Sequence, residues 1–291
     1  MKAIAALVIV GISAAIAGCG SGVAHVTQPA TTSSLNLRSA RTLAESVAGR
    51  ATSPDAPDTP GAPVRYRTIE YSAVVANAGT PGSFTAFVLI SRTRTIESSS
   101  AASIDTFADG PPAFTTSTDR ARWKAAGSPS LAPAPSGGQV LSMPPGQFSF
   151  LPQGSTLTYR QASSLPGTPQ AFSARLLGHL RPFAGPNPPA SLVLEALGYL
   201  IATAPLTTAA RAAAWRVLAA LPGLHLCGSG VDLAHRHGLG LCADAGGAAE
   251  ILVDASTGSV LAVEDRLLRP SPMYPMVSDG SMISSVTFLS P

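Results

Sequence analysis

The chain of 291 residues is poor in charge: 12% of its positions are Asp, Glu, Lys or Arg. Lysine is nearly missing, with Lys2 and Lys124 against 17 arginines, and aromatics make up only 5%. At 45% hydrophobic residues this is not a charge-extended disordered chain. The shortage of Glu and Lys also excludes a coiled coil. A formal net charge of +3 is too small to argue for nucleic acid as a partner. Long apolar runs are missing as well. The closest to a membrane span beyond the N-terminus, residues 190–204, is broken by Glu195. Cysteine is limited to Cys19, Cys227 and Cys242. What the chain does have is glycine (27), proline (26), abundant alanine and a mean hydropathy of +0.27. The preference for Arg over Lys reflects a GC-rich genome more than a binding role. The length suffices for one large core.

The N-terminus accounts for part of the hydropathy. Lys2 precedes an apolar run, residues 3–16, that is shorter than the roughly 20 residues a span needs. The run ends in Ile16-Ala17-Gly18-Cys19. A branched apolar residue, two small residues and a cysteine form the bacterial lipoprotein processing signal. Residues 1–18 are therefore expected to be a signal peptide, and Cys19 the acylated first residue of the mature chain. Acyl chains such as palmitate, at about 0.8 kcal/mol per buried CH2, would hold it on the extracytoplasmic face of the cell membrane. Residues 19–33 lack periodicity and read as a flexible tether, and residues 34–291 as a single α+β domain.

Within that domain, Leu37, Ala40, Ala44 and Val47 recur at helical spacing. A period-two pattern begins at Val64, and a second such run starts at Phe84 after a Gly/Pro turn, predicting a hairpin. Prolines then punctuate a middle section with short strands at best. Three helices are predicted next. The first starts at Thr168-Pro169 and buries Phe172, Leu176 and Leu180. The second covers residues 190–204, and the third residues 208–221, stopped by Pro222-Gly223. Two further hairpins follow, one with His235-Arg236-His237 at its tip and one turning at Thr257-Gly258, and a last strand from Met282 to Leu289. Strand runs separated by a helix cluster predict α+β with a mostly antiparallel sheet packed on a central block of three helices plus the N-terminal one.

Four separated blocks carry a resemblance. They are Asp119-Arg120-Ala121-Arg122-Trp123-Lys124-Ala125-Ala126-Gly127 with Ser128-Pro129; Leu157-Thr158-Tyr159-Arg160 with Leu165-Pro166; Ala220-Leu221-Pro222-Gly223; and residues 254–261. Together they resemble a family of actinobacterial envelope proteins of unknown function. Many of its members begin with a cytoplasmic segment and a membrane helix instead of a lipoprotein signal, and Ala255 stands where proline is usual. The order of elements looks like the half-barrels of periplasmic lipoprotein carriers and envelope-stress regulators, in which a curved sheet wraps around helices. The resemblance implies no catalytic residues and no cofactor.

Several constellations remain as candidates for chemistry. Outside the membrane Cys227 and Cys242 are a candidate disulfide, closing a loop of about 15 residues. They face each other directly if the turn centres on Ala234-His235, and lie out of reach if it centres on Arg236-His237. Bulges at Gly228 or Gly230 would also shift the register. Two buried free thiols, or metal ligands, are the alternatives. His225, His235 and His237 supply ligand types suited to zinc or copper, though in no standard spacing. Arg120, Arg122, Trp123 and Lys124 form either a basic-aromatic patch or a half-exposed helical turn. No nucleophile elbow or phosphate loop is present. Half-barrels of the carrier type leave an apolar groove between helices and sheet, and Val193, Leu197, Trp215 and Leu218 are the candidates to line it. The expected function is accordingly a lipid-anchored, non-catalytic envelope protein that binds a hydrophobic ligand or a protein partner. The alternatives are a metal-binding or hydrolytic enzyme built on the three histidines, and a structural module of the cell wall.

Overall fold

Alternating side chains give two long strands, β1 (Val64–Ala76) and β2 (Phe84–Ile96), paired antiparallel in continuous register from Val64↔Ile96 to Ala76↔Phe84. In the computed structural model they belong to a sheet of nine strands. The structure describes residues 34–51, 64–76, 82–96, 103–114, 116–131, 140–143, 149–151, 156–243, 249–267, 277 and 281–289. The signal, Cys19 and the tether lie outside them. The chain runs from α1 (Ser34–Ala51) through β1, β2, β3 (Ser103–Asp109), α2 (Ser117–Ala125), β4 (Val140–Met143) and α3 (Tyr159–Ser163). It continues with α4 (Pro169–Ala184), α5 (Ala190–Thr203) and α6 (Thr208–Ala219). Five strands close it: β5 (His225–Val231), β6 (His237–Cys242), β7 (Ala249–Val253), β8 (Val260–Arg266) and β9 (Met282–Leu289).

The sheet order is β4-β3-β2-β1-β9-β8-β7-β6-β5, and every neighbouring pair is antiparallel. The last strand thus joins two meanders, one from each half of the chain. The fold is α+β, with an open, curved sheet that does not close.

One face of the sheet carries the helices. Ile251, Val263, Leu241 and Phe288 share a core with Leu194, Leu197, Leu200, Trp215 and Leu218. Helix α5 lies directly on β7 and β8, and Gly198 lets it approach. A Cβ there would stand 2.7 Å from Val263 Cγ2 and 3.0 Å from Ile251 Cδ1. Helix α6 is lined with buried alanines (Ala210, Ala212, Ala213, Ala214), so neighbours pack close to its backbone. Helix α1 crosses it, and Arg41 Nε donates to the Ala219 carbonyl. The other face is covered too. Tyr71 stacks on Phe87 at 5.7 Å in a cluster with Leu267, Val277 and Ile283.

Two short helices in the Pro-rich middle have no counterpart in the periodicity. Helix α2 is capped by Thr116, whose Oγ1 accepts from the Asp119 N–H. Asp119 is buried and accepts from the Thr116 hydroxyl and from the Thr85 N–H. Arg122 donates to the Ser83 carbonyl, and Trp123 donates to the Pro129 carbonyl while its ring packs on Phe114 at 5.3 Å. The Asp119–Gly127 block is thereby accounted for as a clamp holding α2 on β2. Arg120 and Lys124 remain exposed. Helix α3 is closed by a reciprocal capping box between Thr158 and Gln161.

Candidate functional site

The four residues expected to line an apolar groove do not line one. Val193, Leu197, Trp215 and Leu218 are 6%, 0%, 1% and 0% exposed and sit within the main core. The small side chains of α6 and the close approach at Gly198 bring the helices down onto the sheet, and the space is filled.

A cavity of about 260 Å³ opens instead a few strands away, between the edge of α5 and the β2-β1-β9 region. The three strands present their helix-facing side chains to it: Tyr66, Thr68 and Glu70 from β1, Arg92 and Arg94 from β2, and Ser284, Val286 and Phe288 from β9. Helix α5 contributes Glu195, Tyr199 and Thr203, one turn apart on one side of the helix, and Ser149, Phe150 and Leu151 close the rim. The lining is amphipathic, with four charged groups among aromatic and aliphatic ones.

The charges are organised. Glu70 Oε1 accepts from Arg92 Nη1 at 2.8 Å and from the Thr68 hydroxyl at 2.9 Å. Arg94 Nη1 donates to the Tyr66 hydroxyl at 3.2 Å. Tyr199 meets Phe288 edge to face at 5.7 Å. Glu195 is 6% exposed, and burial together with the Asp265 carboxylate pushes it up to about 8. Burial likewise pushes Asp265 up to about 6, against a hydrogen bond from Ser284 that favours its charged form. The Tyr199 phenol is raised by burial and then by the Glu195, Glu70 and Asp265 carboxylates around it.

On the far face of β8, burial and neighbouring Glu250 push Glu264 up to about 8, opposed by Arg266 and Ser285. Glu195, Asp265 and Glu264 therefore all bind their proton more tightly in the folded chain than in the unfolded one. Their contribution to stability is complete below the ordinary carboxyl range and is lost as pH rises through their folded values. The denaturation midpoint should accordingly fall between about pH 5 and about pH 8, and Glu264→Gln should flatten that slope. Chemical denaturation across this range checks it; a midpoint that rises with pH would contradict the burial of these groups.

Cys227 and Cys242 form a disulfide, with Cα atoms 5.8 Å apart. The register follows neither turn centre unshifted; a bulge beside Gly228 shifts it, the third possibility set out from the sequence. Val231 pairs with His237, so the loop centres on Ala234, and a bulge falls between Leu226 and Gly228. His225 opposes Cys242, and the bulged Cys227 reaches it from beside that pair. Gly230, Gly238 and Gly240 of this hairpin are explained by close approach rather than by phosphate binding, and Gly228, at the bulge, by its φ of 131°. A side chain at Gly240 would collide with the Glu250 carboxylate, and one at Gly230 with Leu252.

The histidine site is not assembled. His225 Nδ1 lies 2.8 Å from the Gly223 carbonyl, His235 occupies the turn with φ of 62°, and His237 begins β6. Among the described residues the ligand atoms that lie within 4.8 Å of one another belong to Cys227, Cys242 and Glu250. No histidine joins them, and both sulfurs are used in the disulfide.

The cavity residues were not singled out in the sequence, although a signal was there. Glu195 interrupts an otherwise apolar helix, and Arg92 and Arg94 share a strand face with no reason to be buried. No family model and no curated protein matches the sequence, and no solved structure matches the fold. Fold and cavity together define an α+β protein with an open antiparallel sheet and an amphipathic pocket that opens to solvent. No described helix is long and apolar enough to cross a membrane.

Proposed function

We propose that this chain is a lipid-anchored, extracytoplasmic envelope protein that binds a small amphipathic ligand in the β1-β2-β9/α5 cavity without transforming it. The observation that carries this reading is the cavity itself, about 260 Å³ and lined by both signs of charge and by aromatic rings. It lies just below the roughly 300–1,000 Å³ of most small-molecule sites, so the ligand is compact. A whole diacyl lipid is too large for it. The polar groups of the lining are tied to one another, Glu70 to Arg92 and Thr68, and Arg94 to Tyr66, which suits recognition more than proton transfer. Outside the cavity, the disulfide fits an oxidising compartment. The Ile16-Ala17-Gly18-Cys19 signal supplies the anchor, and the four-block resemblance agrees with an envelope role.

Cys19→Ala tests the anchor. The unaltered protein is expected in the membrane fraction, carrying label from radioactive palmitate. The variant should lose the label, and any of it exported should move to the soluble extracytoplasmic fraction. Palmitate label that persists on Cys19→Ala, or a wild-type protein that carries none, would refute anchoring through Cys19.

A further inference from the structure

The disulfide has an exposed end, a buried end and a carboxylate behind it. Leu226 pairs with Leu241 and Gly228 with Gly240, so Cys227 is the extra residue of the bulge. Bulges re-aim a side chain and recur beside reactive sites. This one lies on β5, the outermost strand, and Cys227 is exposed to solvent. Cys242 is 7% exposed, and so is Glu250, which pairs with it from β7. Leu241 and Ile251 beside them belong to the helix-facing core. Cys242 and Glu250 therefore lie on the opposite face of the sheet, away from the cavity.

The carboxylate and the sulfurs share one space. Both Sγ atoms and a Glu250 oxygen lie within 4.8 Å of one another. Gly240 makes the room: a Cβ there would stand 3.1 Å from Cys227 Sγ and collide with Glu250 Oε1. Arg266 Nε donates to the other oxygen, Oε2, at 3.1 Å, and its Nη2 donates to Glu264. His225 stands opposite Cys242 on β5. A cross-link that only holds a hairpin needs neither an open sulfur nor a buried carboxylate beside it. Exposed disulfides are the more readily exchanged.

We propose that Cys227–Cys242 is a thiol–disulfide exchange site, which passes two electrons from a protein dithiol to a protein disulfide, with Glu250 as its general base. In the reduced pair, the Cys227 thiolate attacks one sulfur of the client disulfide, and the other client sulfur leaves and takes a proton from water. Cys242 S–H then gives its proton to Glu250, through one water, and attacks Cys227 Sγ. The Cys227–Cys242 bond re-forms, and the second client sulfur leaves and takes up that proton. A dithiol runs the same steps in reverse. Its thiolate attacks Cys227 Sγ, Cys242 leaves and takes a proton through Glu250, and the second thiol displaces Cys227 and closes the dithiol's own disulfide. Two electrons and two protons pass in each half. The hairpin tip stays in place throughout, because Arg236 binds Asp232 and the Phe288 and Leu261 carbonyls.

Insulin as the disulfide and dithiothreitol as the dithiol test this, with the purified full-length lipoprotein in detergent. The wild type should release insulin chains several-fold faster than dithiothreitol alone, and Cys227→Ser should abolish the gain. Glu250→Gln should slow the resolving step about a hundredfold. A mixed disulfide between Cys227 and insulin should then accumulate, as it should in Cys242→Ser. A Glu250 that only supports the fold would cause no such accumulation. Thermal melts identify any variant that fails to fold, and the wild type decides the exchange without them. Iodoacetamide added after brief reduction of the folded protein should label Cys227 ahead of Cys242. If the wild type gives no acceleration, or its disulfide is reduced only as the chain unfolds, the cross-link is structural and the exchange site falls. If Glu250→Gln folds and turns over like the wild type, the assignment of Glu250 as base falls.

Discussion

Trp215→Ala is expected to cost about 3–5 kcal/mol of folding stability, the range for emptying a buried tryptophan site. The indole is 1% exposed, on the side of α6 that faces the main core. Its burial removes about 200 Å² from water, worth about 5 kcal/mol. Little can collapse into the space, because Ala212 and Ala219 beside it on α6 have no side chain to extend. A domain of ordinary stability has only about 5–15 kcal/mol to lose, so the variant should stand close to unfolding. Guanidinium denaturation should show the midpoint falling with an unchanged slope, and Trp123 remains as the fluorescent reporter. The same measurement separates a filled core from an open groove. A tryptophan lining a wet groove would lose little on truncation, and a cost below about 1.5 kcal/mol would restore the groove.

That contrast marks where the sequence stops being informative. Periodicity and apolar runs bounded by turns located α4, α5 and α6 and every strand from β5 to β9: α4 buries one face and shows it in its spacing, whereas α5 and β7 are buried almost all round and read as continuous apolar runs. Neither could tell a core-facing Trp215 from a groove-lining one, since both need the same apolar stripe. Helix α2 was legible only as a half-exposed turn at residues 120–124, because it has no hydrophobic pattern and its start is set by hydrogen bonds between Thr116 and Asp119. The cavity escaped for a related reason. Arg92, Glu70 and Glu195 come from β2, β1 and α5, and only the pairing of strands distant in sequence brings them together. A polar residue on a strand face ordinarily means solvent. Here the rim of Ser149, Phe150 and Leu151 makes that face one wall of a part-enclosed pocket.

Removing the disulfide with Cys227→Ala/Cys242→Ala should cost about 3 kcal/mol, the chain-entropy value for a loop of this length. The loss should be concentrated in β5 and β6. Strand β5 is an edge, paired on one side only, and the hairpin carries Gly228, Gly230, Gly238 and Gly240. Glycines give up more freedom on folding than other residues and offer no cross-strand side-chain contacts. Two cross-links offset that. The tip is held by Asp232, which binds Arg236, while Arg236 Nη2 donates to the Phe288 and Leu261 carbonyls across the sheet. The base is held by the disulfide, beside the bulge where regular pairing lapses. Hydrogen exchange should therefore show amides at the base of the hairpin, around Leu226 and Leu241, losing protection first in the double alanine variant. Those near Asp232 and Arg236 should lose less. Uniform loss across all nine strands would mean that the hairpin unfolds only with the whole sheet. No loss at all would mean that the Asp232–Arg236 anchor suffices without the covalent one.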